Sequence, residues 1–174
     1  MKISLYIACS LDGYIAKPDG DIEWLSMVED AAEDYGYNDY YASIDATVMG
    51  GNTYEDILGF GDWPYKDKSS YVMTRRKLPN NPQHTTLFNG DVKQMHQMLI
   101  DQQHQHVWLV GGGKLITHFF QADLIDSYII SIIPILLGQG IPLFRTNNHS
   151  SKLKLTHTQA YASGLVQLHY LPLR

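Results

Sequence analysis

Cysteine is almost absent from this chain, because Cys9 is the one cysteine among its 174 residues. A lone cysteine cannot form an intramolecular disulfide, so folding does not require an oxidising environment. We therefore expect a protein of a reducing compartment, and the cytoplasm is the simplest assignment.

Basic residues and long apolar runs are also scarce. Lys and Arg together number 13 against 18 Asp and Glu, which gives a net charge of -5. A nucleic-acid binder needs a basic face that releases phosphate counterions, so this class is disfavoured. The longest apolar run, residues 128–137, is interrupted by Ser131 and Pro134 and is too short to span a bilayer. His104 and His106 are interpreted as ordinary loop residues, and no metal site is expected.

The remaining composition, 44% hydrophobic and 18% charged, is typical of a globular protein. The length suits a single domain covering residues 1–174. Hydrophobic periodicity predicts strands at residues 3–8, 46–49, 71–74, 85–88, 107–110 and 124–133. Helices are predicted within 22–44 and at 52–58, 92–103 and 114–120, and residues 11–21 and 62–69 are predicted loops. Residues 152–161 and 165–171 alternate around Ala162-Ser163-Gly164, which indicates a terminal antiparallel hairpin. The pattern predicts an α/β fold whose sheet is mostly parallel.

A first glycine-rich motif lies at residues 107–116, where an apolar strand runs into Gly111, Gly112 and Gly113 and then into a helix. Glycine lets the backbone approach a ligand closely, and a helix N-terminus presents N–H groups to an anion. These features suit a pyrophosphate. The alternative is a tight turn that needs positive φ, since the motif is neither GxGxxG nor a P-loop.

A second junction of strand, glycine and helix lies at residues 48–55. Here Asn52 is predicted to cap the helix with Glu55 three residues later, which is the capping-box arrangement. The junction either serves only as a cap or forms a second helix N-terminus facing the same ligand. Two such junctions in a small α/β domain are typical of a dinucleotide crossing the carboxyl ends of a sheet.

A third motif is the basic end of the strand at residues 71–74. Thr74, Arg75 and Arg76 follow one another there. A hydroxyl and guanidinium groups can grip a phosphate monoester, which would favour NADP over NAD. The alternative is a solvated basic turn.

Taken together, these segments resemble the dihydrofolate reductase-like family, and in particular the reductase domain of the riboflavin-synthesis deaminase/reductase. The resemblance rests on segments that follow the family's order over nearly the whole chain: Ile7-Ala8, residues 10–16, Asp21 with Trp24-Leu25, MGGNTYE, the strand with TRR, LVGGGKLI, and residues 124–126 and 133–144. It implies a three-layer sandwich, an NADPH cofactor and a homodimer. We do not expect these 174 residues to include a zinc deaminase site, because that site needs a Pro-Cys-x-x-Cys segment and the sequence has one cysteine.

The resemblance also implies roles for individual residues. Gly111, Gly112 and Gly113, followed by Lys114 and Leu115, would lie under the cofactor pyrophosphate, with a cis peptide bond between Gly111 and Gly112. Gly50, Gly51, Asn52 and Thr53 would approach from the other junction. Thr74 and Arg75 would hold the adenosine 2′-phosphate, and Arg76 beside them is a further candidate residue of the cofactor site. Ala8, Ile15 and Ala16 would line the nicotinamide side, beneath a loop containing Asp12 and Gly13.

Two departures from the family pattern matter. The family usually has Arg where this chain has Gly51, so one cationic phosphate contact is missing, and Arg75, Arg76 or Lys114 would have to compensate. Folate reductases carry an Arg before the third motif that binds the substrate's glutamate carboxylate. Lys68 stands there instead, which weakens a folate assignment.

Folate reductases use a carboxylate on their first helix as the proton source for reduction. The resemblance implies that Asp34 takes this role here, by counting back along the chain from the second glycine junction. Counting forward from Trp24 indicates Glu29 instead, and a solvated acidic helix face is a further alternative. The nearby tyrosines Tyr35, Tyr37, Tyr40 and Tyr41 suit either a flat slot for a heterocycle, core packing or a dimer contact.

The function indicated is NADPH-dependent hydride transfer to a small heterocycle. A pyrimidine like 5-amino-6-(5-phosphoribosylamino)uracil and a dihydropterin or dihydrofolate both remain open as substrates. The alternative is an NADP(H)-binding module of the same fold with little or no turnover.

Overall fold

The fold is built around one large β-sheet. The computed structural model describes residues 1–78 and 82–173. The strands are β1 (Lys2–Ser10), β2 (Tyr14–Ala16), β3 (Ala46–Gly50), β4 (Ser69–Met73), β5 (Thr85–Phe88), β6 (His106–Gly111), β7 (Ser127–Ile133), β8 (Ile141–Pro142), β9 (Leu153–Ala160) and β10 (Val166–Pro172). The helices are a 3₁₀ helix (Glu23–Val28), α1 (Tyr37–Ser43), α2 (Gly51–Gly59), α3 (Val92–Asp101) and α4 (Gly113–Gln121).

Eight of the strands form the main sheet in the order β5-β4-β3-β6-β1-β7-β10-β9. The first six in this order run parallel, and β10 and β9 are antiparallel at one edge. A separate antiparallel pair joins β2 to β8. The predicted α/β class, the parallel body and the antiparallel terminal hairpin are confirmed.

Helices cover both faces of the sheet, because consecutive side chains of a strand point to opposite sides. On β6, Leu109 packs into a cluster with residues of α3 and α4, whereas Trp108 packs with residues of α1 and α2. On β3, Val48 and Met49 divide in the same way. The resulting helix–sheet–helix arrangement is the expected three-layer sandwich. No helix in the two described ranges is long and apolar enough to cross a membrane.

The helical stretches predicted within 22–44 are present as the 3₁₀ helix and α1. Two other local predictions need correction. The predicted loop 11–21 contains β2, which the paired strand β8 stabilises from a distant part of the chain. The predicted long strand 124–133 begins at Ser127, because Leu124 and Ile125 pack into the core before the ladder with β1 starts.

Candidate functional site

The two glycine junctions lie side by side. Strands β3 and β6 are parallel neighbours, with Val48 opposite Leu109 and Met49 opposite Gly111, so both end at the same edge. Helices α2 and α4 therefore begin together, and their free N–H groups belong to one region of the molecule. A Cβ added to Gly50 would lie 3.8 Å from the carbonyl oxygen of Gly111.

The glycine run at this edge has no room for side chains. A Cβ on Gly112 would meet the Thr53 hydroxyl at 3.2 Å, and one on Gly113 would meet the carbonyl oxygen of Pro142 at 2.4 Å. Gly111 has a φ of 132°, a backbone conformation that favours glycine. The expected cis peptide bond between Gly111 and Gly112 is present, which confirms that prediction.

The two residues after the glycines differ in exposure. Lys114 is exposed, whereas Leu115 is buried in the core cluster that α4 forms with the sheet. The amide of Leu115 donates to the carbonyl oxygen of Gly112 at 2.9 Å. The side chain of Leu115 thus packs in the core, and its amide is bonded within the protein. Of these two predicted cofactor residues, Lys114 is the one with an exposed charged group.

The cap predicted at Asn52 is wrong. Helix α2 begins one residue earlier, with Gly50 as its N-cap and no side-chain hydrogen bond to its first turn. Asn52 and Glu55 instead accept hydrogen bonds from Nη2 of Arg76, at 2.9 Å and 2.6 Å. Asn52 and Glu55, which have the spacing of a capping box, therefore both bind Arg76, and neither caps the backbone of α2.

The basic segment lies next to the same junction, because β4 pairs with β3. Thr74 directly follows β4, and its hydroxyl accepts the backbone N–H of Arg76 at 3.0 Å. A Cβ on Gly51 would lie 3.1 Å from that hydroxyl and 3.2 Å from Nη2 of Arg76. Arg75 is exposed. The structure thus brings all three sequence motifs together along the ends of β4, β3 and β6.

The loop side of the site is connected to the glycine edge through β8. Ala8 lies near the end of β1, the neighbour of β6, and Ala16 pairs with Ile141 of β8. Ile15 belongs to the same short strand β2 and packs against the core on the α3 and α4 side of the sheet. Pro142 of β8 reaches Gly113, as described above. Strand β8 therefore links the residues predicted to line the nicotinamide to the glycine run predicted to bind the pyrophosphate.

Asp12 anchors the loop between β1 and β2. Its carboxylate accepts the Ser10 hydroxyl at 2.6 Å and the backbone N–H groups of Leu137 and Gly138 at 3.1 Å and 2.7 Å. These bonds, that from Ser10 first, lower the pKa of Asp12. Sequence reasoning placed Asp12 in a closing loop but did not identify its partners, which lie about 125 residues further along the chain.

Asp34 does not have the environment of a proton donor. It is exposed, and its carboxylate accepts the backbone N–H groups of Gly36 at 2.9 Å and Asn38 at 3.0 Å. These bonds, that from Asn38 first, lower the pKa of Asp34, so it is ionised at neutral pH. Asp34 stabilises the start of α1. The alternative, Glu29, is also exposed, at the end of the 3₁₀ helix.

The clustered tyrosines mostly pack. Tyr40 is buried, stacks on Tyr6 with ring centroids 4.4 Å apart, and shares a hydrogen bond with Ser4. The Tyr35 hydroxyl donates to the carbonyl oxygen of Val28 and shares a hydrogen bond with the Ser163 hydroxyl. Tyr37 and Tyr41 stack on each other and remain partly exposed. Core packing therefore explains Tyr40, whereas Tyr35, Tyr37 and Tyr41 each retain some exposed surface.

His104 and His106, the two histidines for which no metal site is expected, lie at the end of the sheet opposite the glycine junctions. His104 shares a hydrogen bond with the Tyr71 hydroxyl at 2.8 Å, and His106 shares one with Ser4 at 2.7 Å. Each histidine thus connects neighbouring elements. Within residues 1–78 and 82–173, no group of three or more His, Cys, Asp or Glu side chains is arranged to hold a metal ion.

Comparison with known proteins reveals a consistent set of relatives. The family described as RibD C-terminal domain matches residues 1–167. The uncharacterized protein YwjB of Bacillus subtilis is 39% identical over 171 residues, which cover 98% of this chain and 97% of YwjB. The crystal structure of a protein named for riboflavin biosynthesis, from Shewanella sp. PV-4, is 32% identical with a TM-score of 0.92, and the match covers 100% of both chains.

A more distant structure shares the fold. It is the diaminohydroxyphosphoribosylaminopyrimidine deaminase/5-amino-6-(5-phosphoribosylamino)uracil reductase of Thermotoga maritima, with a TM-score of 0.75 and 16% identity. The match covers 99% of this chain and 56% of that chain. This chain is therefore similar to a part of that longer protein.

Proposed function

Because the chain belongs to the RibD C-terminal domain family, we propose that it is an NADPH-dependent reductase that delivers a hydride to a small heterocyclic substrate. The observation that carries the proposal is the meeting of two glycine junctions at one sheet edge, where Gly112 lies against Thr53. A dinucleotide crossing the carboxyl ends of parallel strands needs such an edge.

The residues at this edge fit the cofactor in shape and charge. The cradle at Gly51, Gly112 and Gly113 lacks side chains, and an added Cβ would fill each position. The N-terminus of α4 favours negative charge, as does that of α2. Beside them, Thr74 and Arg75 are suited to a phosphate monoester. When bound, the reduced nicotinamide supplies the hydride, and Ala8, Ile15 and Ala16 would shield it from water.

The substrate is proposed as a pyrimidine of the kind named for the Thermotoga reductase, or a dihydropterin. Reduction also requires a proton near the acceptor atom. Asp34 remains the predicted donor, but its lowered pKa and its bonds to α1 argue against it. A bound water is a suitable substitute, because it can exchange protons with bulk solvent.

That engagement of Asp34 supports one alternative function. A chain that binds NADP(H) but lacks a positioned acid would bind the cofactor with little or no turnover. The two functions share the cofactor site and differ only in chemistry, so binding and turnover have to be measured separately.

The proposal also includes a homodimer, which the apolar segment 124–133 and the tyrosine-rich helix of the sequence suggest as well; that segment contains β7. That strand lies between β1 and β10 and has no free edge. Strand β9 is one of the two edge strands of the main sheet, all eight of its residues are exposed, and they include Leu153 and Leu155. An exposed edge strand with apolar side chains is a ready surface for a second copy. Sedimentation at micromolar concentration should give a dimer, and Leu155→Lys should give a monomer.

The decisive experiment pairs binding with turnover. Affinities for NADPH and NADH are measured by calorimetry, and NADPH oxidation is followed with dihydrofolate and with the ribosylamino-pyrimidine. We expect NADPH to bind at least about tenfold tighter than NADH, which corresponds to about 1.4 kcal/mol. Equal affinities would defeat the NADPH assignment. Tight binding without oxidation of either substrate would favour the binding module.

A further inference from the structure

A guanidinium group occupies the space above Gly51. The Cβ that any other residue would carry there lies 3.2 Å from Nη2 of Arg76 and 3.1 Å from the Thr74 hydroxyl. Gly51 is itself buried, although it is the first residue of α2. Arg76, which lies in the segment after β4, therefore places a positive group at the start of α2.

Two side chains of α2 hold this guanidinium. Nη2 donates to Asn52 Oδ1 at 2.9 Å and to Glu55 Oε2 at 2.6 Å, and the backbone N–H of Arg76 is bound by Thr74. Such an arrangement fixes a long side chain that would otherwise sample many rotamers. It uses both hydrogens of Nη2 and leaves the Nε and Nη1 donors for an anion.

Arg75 and Arg76 differ in whether a carboxylate offsets their positive charge. The Glu55 carboxylate offsets the charge of Arg76, and both side chains are about half exposed, so the ion pair itself adds little stability. Arg75 has no such carboxylate partner among the residues that the structure describes. Arg75 thus supplies net positive charge, whereas Arg76 supplies directed N–H groups.

We propose that Arg76 is a second ligand of the 2′-phosphate beside Arg75, and that Glu55 and Asn52 are positioning residues that hold it over Gly51. This inference rests on the proposed NADPH site. It adds how that site can bind the 2′-phosphate although residue 51 is a glycine and carries no cationic side chain.

The test compares two small ligands that differ by the phosphate in question, 2′,5′-ADP and 5′-AMP, by calorimetry on the full chain. Arg76→Ala should weaken 2′,5′-ADP binding about 3- to 10-fold and leave 5′-AMP binding unchanged. The effect is smaller than the usual loss of a charge-assisted hydrogen bond, because the Arg76 side chain is about half exposed. Arg76→Lys should not restore the affinity, because an ammonium cannot bind Asn52, Glu55 and a phosphate in the same geometry. Lys77→Ala is the matched control from the same exposed segment and should change neither affinity.

The positioning role is tested by two variants of one residue. Glu55→Gln and Glu55→Leu lose the same charge, but only Gln keeps an oxygen that accepts from Arg76. We expect Glu55→Gln to bind 2′,5′-ADP about threefold tighter than Glu55→Leu does, with equal affinities for 5′-AMP. Equal affinities of the two variants for 2′,5′-ADP would overturn the positioning role.

The remaining outcomes separate this inference from the proposed function. If Arg75→Ala reduces the preference for 2′,5′-ADP and Arg76→Ala does not, the inference is wrong while the NADPH site stands. If Arg76→Ala weakens both ligands equally and lowers the unfolding temperature, Arg76 only supports the fold and the inference is again wrong. If the unmutated protein does not distinguish the two ligands, the proposed cofactor assignment fails as well.

Discussion

The candidate cofactor edge and the candidate substrate side are built in different ways. The edge consists of glycine backbone at Gly111–Gly113 and Gly50–Gly51 that neighbouring backbone and side chains approach closely, and its geometry follows from the parallel pairing of β3 with β6. The substrate side consists of side chains from the 3₁₀ helix, the turn before α1 and the terminal hairpin, which meet only in the folded chain. Close backbone contacts leave a glycine pattern in the sequence, whereas side-chain packing between distant loops does not.

The largest expected effect follows from adding a methyl group at the edge. In Gly113→Ala the new Cβ would lie 2.4 Å from the Pro142 carbonyl oxygen, so backbone has to move. We expect the free energy of unfolding to fall by about 1–3 kcal/mol and NADPH binding to be lost. Denaturant unfolding and calorimetry measure both. Gly59→Ala is the control, because no atom lies within 4 Å of its added Cβ.

Gly112→Ala separates binding from folding at the same edge. Its Cβ would meet a side-chain hydroxyl, Thr53 Oγ1, at 3.2 Å, and that group can shift by a few tenths of an ångström. NADPH affinity should fall at least about tenfold while the unfolding temperature changes little. Unchanged affinity would remove Gly112 from the cofactor site.

Arg75→Ala tests the charge at the same edge. The variant should lose most of the preference for NADPH over NADH, about tenfold, and keep its NADH affinity. Because Arg75 carries the net charge, the salt dependence of NADPH binding should become weaker in the variant. Equal weakening of both cofactors would mean that Arg75 is structural.

A change at Asp34 is expected to have a smaller effect. If its carboxylate serves to cap α1, Asp34→Ser retains an acceptor for the first turn, and Asp34→Ala does not. Asp34→Ala should therefore lower the unfolding temperature slightly, with Asp34→Ser close to the unmutated protein. A collapse of kcat in both variants with NADPH affinity unchanged would restore Asp34 as the acid.

The smallest effect concerns pH and the loop that Asp12 anchors. Its folded pKa is lowered, chiefly by the Ser10 hydroxyl, so its contribution to stability is fully present above the unfolded pKa of about 3.9. The contribution is lost as the pH falls through the lower folded pKa. The protection of the Leu137 and Gly138 amides against hydrogen exchange, relative to their intrinsic exchange rates, should fall in that acidic range. In Asp12→Asn this loss of protection should already be present at neutral pH.

Local sequence was sufficient for much of the fold. The strand at residues 85–88 was predicted to the residue, and the helices α2, α3 and α4 to within one or two residues of their ends. These elements have strong periodicity and clear glycine or polar boundaries. Residues 22–44 were harder, because the 3₁₀ helix and α1 are short and their stability comes from Trp24, Val28 and Tyr40 packing on distant strands.

The sequence by itself determined the α/β class, the parallel sheet with its terminal hairpin and the three motifs, because each depends on local periodicity or on glycine's lack of a side chain. Tertiary structure alone decided which side chains share a partner. Only the pairing of β4 with β3 brings Arg76 over Gly51 and to Glu55, and only the folded chain brings the amides of Leu137 and Gly138 to Asp12. The order of residues along a chain specifies spacing within an element, but contacts between elements depend on strand order and loop paths that no local pattern encodes.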